Sequence, residues 1–215
     1  MKRASSRRDA GRSQERILKA ATAEFARCGL GGARVDRIAA RAGANKRMLY
    51  YYFGNKEDLF LAVLESRYAH IRRAEQGLHL GDLDPAQGMR RLVAFTWDYY
   101  LKHPEFLTLL NSENLHRARH LRRSRQIAAM HSPLVAMLRG LLGRGARKGE
   151  FRRGVDPVQL YISIAGLGYF YLSNRHTLST IFERDLLSAR NKAERLKHMT
   201  GLVLGYLSKG RKETP

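Results

Sequence analysis

Apolar residues along this chain recur at helical spacing almost throughout. No stretch of useful length alternates apolar and polar positions as a half-buried strand does. The sharpest pattern lies at residues 33–58. Val35, Ile38, Ala39 and Ala42 fall at i, i+3, i+4 and i+7, one face of a helix. Gly43 can leave that helix with a positive φ. Asn45 can cap a following helix whose buried face is Leu49, Tyr52 and Phe53. Two helices about so short a glycine-containing turn predict a helix-turn-helix. The other face of the second helix carries Lys46, Arg47, Tyr50 and Tyr51, a basic and aromatic surface suited to a major groove.

The same spacing extends in both directions. Upstream, Ser13 can cap a helix with Ile17, Leu18, Ala21 and Phe25 inward, ending at Cys28-Gly29. Downstream, Gly54 closes the second helix, and Asn55 with Asp58 resembles a capping box. The helix it opens buries Leu59, Phe60, Val63 and Leu64 and is expected to run to about residue 78. The glycines and aspartates of residues 77–85 read as a break. Beyond it Asp84-Pro85 signals a helix start, with Met89, Leu92, Val93, Thr96 and Tyr100 in register. Short helices follow over 104–110 and from Glu113 to about Met130, and Ser132-Pro133 opens another. Asp156-Pro157 repeats the start signal for a helix over 158–174 that is apolar almost all round. A last helix, 182–207, places Ala189, Ala193, Leu196, Thr200, Val203 and Leu207 on a seam. Two such helices exceed what one protomer needs, so a homodimer is expected, with Tyr161, Ala165, Leu196, Val203 and Leu207 at its interface. The expected fold is all-α, with about nine helices: a basic flexible arm over 1–12, a helix-turn-helix head over 13–76 and a helical body over 77–215.

Composition narrows the partners. Lys and Arg outnumber Asp and Glu by 40 to 19, a formal charge of +21. Such a balance points to polyanions, nucleic acid first. The single cysteine, Cys28, excludes an intrachain disulfide framework and fits a reducing compartment. The first residues have no apolar run behind their charges, unlike a signal peptide. Val158–Leu172 falls short of the roughly 20 residues of a membrane span. A cytoplasmic protein without membrane association is expected.

Catalytic motifs are scarce. G-L-G-G-A-R at residue 29 lacks the Lys-Ser/Thr of a P-loop, and G-L-G at 166 follows no strand. Glu113, His116 and His120 could present metal ligands on one helical face, although the other helices offer no matching Glu-x-x-His. Trp97, Tyr100, Phe106, Asn114 and Tyr169 have the mixed aromatic and polar character of a ligand pocket. The basic cluster Arg117, Arg119, Arg122, Arg123 and Arg125 is either a solvated face, an attractor for an anionic effector, or an extension of a DNA footprint.

The run from Ser13 to Glu65 resembles the DNA-binding head of TetR/AcrR-type bacterial transcriptional repressors. The resemblance rests on I-L-K-A-A from 17, F-A-R-C-G from 25, V-D-R-I-A from 35, A-G-A-N-K-R-M-L-Y-Y-Y-F from 42 and N-K-E-D-L-F-L-A-V-L from 55, in order and at the right separations. More loosely, H-P-E-F-L-T-L-L-N-S-E-N-L from 103 and G-E-F-R-R-G-V-D-P from 149 resemble the ligand-sensing body, nearest the branch that includes pyrimidine-sensing repressors. The resemblance implies a homodimer whose third helix enters the major groove of a palindromic operator, with a small-molecule effector site in the body. It places Asn45, Lys46, Arg47, Met48, Tyr50, Tyr51 and Lys56 at DNA, Lys56 where helix-terminal amides favour a phosphate. Two positions depart from the family pattern. Arg34 stands where Ser or Thr commonly caps the second helix, and Arg47 where a small residue is common. Neither a cofactor nor catalysis is implied. The expectation is a ligand-released, sequence-specific repressor. Its alternatives are a metal-dependent bundle enzyme on the Glu113 face and a nonspecific nucleoid protein.

Overall fold

The computed structural model describes residues 2–208, with side chains from Asp9 onward apart from those of Ala128 and Ser132. The fold is all-α. Among the described residues ten α-helices run in order: α1 Lys2–Gly32, α2 Val35–Ala42, α3 Lys46–Phe53, α4 Lys56–Gln76, α5 Pro85–Lys102, α6 Pro104–Leu115, α7 Arg125–Lys148, α8 Pro157–Ser173, α9 Arg175–Ile181 and α10 Ala189–Leu207. The only β pairing among them is an isolated antiparallel bridge between Phe151 and Ser208.

The helices belong to two compact units. One comprises the chain through His70 together with Pro104–Ala129; the other comprises Ile71–His103 and the chain from Met130. The first therefore takes in α6, which lies beyond the residue 77 boundary expected from sequence. Its core gathers Ile17, Phe25, Ile38, Leu49, Phe60 and Leu64, with Tyr52 and Phe53 packed at the edge. Phe25 and Phe60 meet edge to face at 5.1 Å. Each side chain so buried contributes about 2 kcal/mol, enough to fix two helices as short as α2 and α3. In the second unit α5 packs against α8 and α10, and Trp97 is buried beside Tyr171 at 5.5 Å.

Several starts follow their caps. Asp84 accepts from the N–H of Ala86 ahead of α5, and Asp156 from those of Val158 and Gln159 ahead of α8. Other expectations are corrected. Residues 2–12 continue α1 rather than forming a flexible arm, so Ser13 lies inside a helix instead of capping one. Polarity made that segment look unstructured, but it contains no proline, and Ala and Arg are good helix formers. Met1 lies outside the described residues. Pro133 sits within α7, not at its start. The last expected helix divides, α9 ending at Ile181 and α10 starting from the Ser188 cap.

The expected interface seam is also corrected. Val203 and Leu207 are already buried within one chain, at 4% and 0% exposure. Tyr161 is bonded to Arg72, and Ala165 and Leu196 are half-buried. The four-three spacing along α10 is real, but the side it marks faces α10's own protomer. The exposed apolar residues of these helices are Val158, Ile162 and Phe170 on α8 and Leu202 and Tyr206 on α10.

Candidate nucleic-acid interface

The turn between α2 and α3 is set by two residues. Gly43 takes a left-handed conformation, φ 59, and its N–H reaches the carbonyls of Ala39 and Ala40. A side chain with a Cβ adopts that conformation only under strain. Asn45 then caps α3, its Oδ1 accepting from the N–H of Met48 at 2.8 Å. At the far end Gly54, φ 79, closes α3. Asn55 Oδ1 accepts from the N–H groups of both Glu57 and Asp58 at 2.9 Å, opening α4.

At the start of α2, Arg34 makes no side-chain cap. Its substitute comes from α1. The buried Glu24 carboxylate accepts from the N–H of Arg34 at 3.3 Å and from Arg27 at 2.9 Å, with Arg37 at 3.6 Å. The Arg27 hydrogen bond, assisted by that N–H and the two arginine charges, holds the Glu24 carboxyl below the usual carboxylate range despite burial. Sequence reasoning missed Glu24, because a glutamate beside Phe25 reads as solvent-facing. Glu24→Gln should lower stability by about 1–2 kcal/mol. Because its folded-state pKa is depressed, the difference should be full above the ordinary carboxylate range and fade as the pH falls through it. Urea midpoints of parent and variant from pH 3 to pH 7 read this directly.

The outer face of α3 divides into engaged and free groups. Lys46 Nζ lies 3.0 Å from Asp36 of α2, and that contact raises the pKa of the ammonium. Lys56 donates to the carbonyl of Gly31 at 3.2 Å. Met48 is half-buried. Arg34 and Arg47 are exposed, and their side chains have no polar partner among the described residues. Tyr50 and Tyr51 are 45% and 82% exposed, Tyr51 resting edge-on against Tyr52 at 5.2 Å.

The basic cluster after α6 is partly accounted for. Arg119 pairs with Glu57 and Arg123 with Asp58, both acids lying in the first turn of α4. Two cations of the cluster thus neutralise acids beside the helix end expected to hold a phosphate.

The expected metal face does not form. α6 ends at Leu115, and Arg117 and Ala118 turn the chain with φ 56 and 57, so residues 113–120 share no helical face. Glu113 is buried and caps the turn instead. Its Oε1 accepts from the N–H groups of His120 and Leu121, and Oε2 lies 2.6 Å from His120 Nδ1. His116 Nδ1 is directed to the Ser112 carbonyl oxygen at 2.7 Å. The expected pocket residues are likewise not gathered. Phe106 and Asn114 belong to the first unit, Trp97, Tyr100 and Tyr169 to the second. Trp97, Tyr100 and Phe106 are core residues and Asn114 is exposed.

A short, capped helix with a cationic and aromatic outer face, held by a second helix across a tight turn, defines a helix-turn-helix DNA-binding protein. The comparisons agree. Residues 17–63 match the family model described as bacterial regulatory proteins, tetR family, and residues 85–203 match that of the tetracyclin repressor-like C-terminal domain. The chain is 46% identical over 195 residues to the HTH-type transcriptional repressor NicS of Pseudomonas putida, covering 91% of this chain and 92% of NicS. It is 44% identical over 109 residues to the repressor SCO4008 of Streptomyces coelicolor, half of this chain and 53% of that one. Among solved structures, the regulator SCO4942 of Streptomyces coelicolor superposes with TM-score 0.65 at 25% identity, covering 91% of this chain and 98% of that one. The chain belongs to the TetR family and is a DNA-binding transcriptional regulator. No helix among the described residues is long and apolar enough to cross a membrane.

Proposed function

We propose that this regulator is a non-enzymatic repressor that binds a two-fold operator as a homodimer and is released by a small-molecule effector. DNA binding is assigned to the head, residues 13–76, and effector binding and dimerisation to residues 77–215. The observation that carries the reading is the outer face of α3, where Arg47, Tyr50 and Tyr51 stand exposed on a helix capped at its N-terminus by Asn45. Asn45 serves as that cap rather than as a base reader. Arg34, Lys46 and Lys56 are assigned to backbone phosphates; an ammonium has more donors than its present partner uses, so both lysines can take a phosphate oxygen as well. Met48 supports the face from below.

Dimerisation is assigned to the exposed apolar side of α8 and α10, with Ile162, Phe170, Leu202 and Tyr206 around Gly166 and Gly205. A two-fold pairing there presents two reading helices to two half-sites.

The test is operator binding against salt. Affinity should fall steeply and linearly on a logarithmic scale as phosphate contacts release counterions. Arg47→Ala should weaken operator binding about 10- to 100-fold and relax preference at one base position, as loss of a base contact does. An equal loss on all sequences would reassign Arg47 to the backbone. No loss at all would remove α3 from the interface.

A further inference from the structure

Arg72 and Glu75 lie one turn apart near the end of α4, and both are buried, at 5% and 2% exposure. Arg72 Nη2 donates to the phenolic oxygen of Tyr161 on α8 at 2.7 Å, and Nη1 lies 3.0 Å from Glu75 Oε2. Much of their bonding capacity is unused: Arg72 Nε and Nη1 and both Glu75 oxygens are buried without a hydrogen bond. Polar atoms buried in that condition are costly and call for a function or a missing partner. Both side chains line a cavity of about 220 Å3, closed by Gln76 and, from α7, by Met130, Pro133, Leu134 and Met137. The α7 walls carry no charge; the titratable groups at the site are Arg72, Glu75 and Tyr161.

We propose that this cavity is the effector site and that the effector is a small monocarboxylate with a compact apolar body. Its carboxylate accepts from Arg72, and its body lies between Met130, Leu134 and Met137. The proposal rests on the reading of the protein as an effector-released regulator.

Charge balance selects the class. Burial pushes the Glu75 carboxyl up to about 7, against the opposing pull of Arg72. Near neutral pH Glu75 therefore takes up a proton readily, which leaves Arg72 as a buried cation without a counter-charge. A ligand carboxylate restores the balance, with protonated Glu75 able to donate to it. A primary amide of the same shape does not. The cavity lies below the roughly 300 Å3 at which pockets for drug-sized ligands begin, which excludes long acyl chains. The unbranched methionines are the walls best able to yield to a ring or short chain.

The experiment is calorimetry and thermal shift on the full-length protein with propionate, hexanoate, cyclohexanecarboxylate and benzoate beside their primary amides. At least one acid should bind and raise the melting temperature, with its amide at least tenfold weaker. Affinity for the acid should fall about tenfold from pH 6 to pH 8 as Glu75 loses its proton. Glu75→Gln should keep binding and flatten that pH profile, whereas Arg72→Met should lose it. If Arg72→Met fails to fold, Met137→Trp, which fills the cavity from α7, should abolish binding instead. The proposal is overturned if no acid binds at about 10 mM, if amides bind as well as acids, or if neither variant alters binding. Operator binding measured on the same preparation separates the two readings. Intact operator binding without a carboxylate response removes this site alone; absent operator binding removes the regulator reading itself.

Discussion

Leu202→Glu should convert the protein from a dimer into a monomer and abolish operator binding. Leu202 is 47% exposed on α10, beside Tyr206 at 51%. On α8, Ile162 and Phe170 are 56% and 59% exposed. A Cβ built on Gly166, Gly201 or Gly205 would meet nothing within 4 Å, so the face between these side chains is open. Burying this surface against its two-fold mate is the main gain from association, and a carboxylate set into it without a partner costs several kcal/mol. In an isologous interface the substitution enters twice. Loss of the dimer separates the two half-site contacts, leaving each head with only its own phosphate and base contacts. Light scattering of the purified variant and a mobility shift on operator DNA read both effects. Val203→Ala, one position along but facing inward, should lower stability by about 1–3 kcal/mol and leave the dimer intact. A dimeric Leu202→Glu protein would move the interface elsewhere.

Glu75→Gln should produce the other large effect, a gain in stability that appears only as the pH rises. Burial raises the Glu75 carboxyl from an ordinary 4.5 to about 7. Between those values the folded state holds a proton that the unfolded chain has released. Parent stability therefore falls as pH rises through that window and levels off above it. Glutamine cannot ionise, so the variant is spared that fall. The advantage of the variant should be small at pH 5 and reach the order of 2–3 kcal/mol at pH 8. Melting curves at the two pH values check it. A difference that is the same at both would mean that Glu75 is ionised in the folded protein throughout.

What the sequence made legible was local. The Gly43 exit, the Asn45 and Asn55 caps and the Asp84-Pro85 and Asp156-Pro157 starts each depend on a few adjacent residues, and each lies where the chain predicted it. The reading face of α3 followed, because the side opposite Leu49 had to be exposed. What escaped depends on residues distant in sequence or on conformations their side chains do not advertise. The turn after α6 uses positive φ at Arg117 and Ala118, where no glycine marks the change of direction, and so the histidines were expected on a helical face that the chain abandons. Glu24 holds the start of α2 from another helix. Arg72 and Glu75 have the spacing of an ordinary surface ion pair, and only the packing of α7 and α8 around them shows that they are buried. On α10 the spacing identified a seam but not which chain it faces; Val203 and Leu207 turn toward their own protomer, and the open side lies one position away.

Selection of bound sequences from random DNA by the full-length protein, followed by footprinting, tests the central claim most directly. The account predicts a two-fold-symmetric site, its half-sites about one helical turn or a multiple apart, bound with steep salt dependence and lost on Leu202→Glu. Enrichment of no sequence, with equal affinity for random DNA at physiological salt, would contradict it.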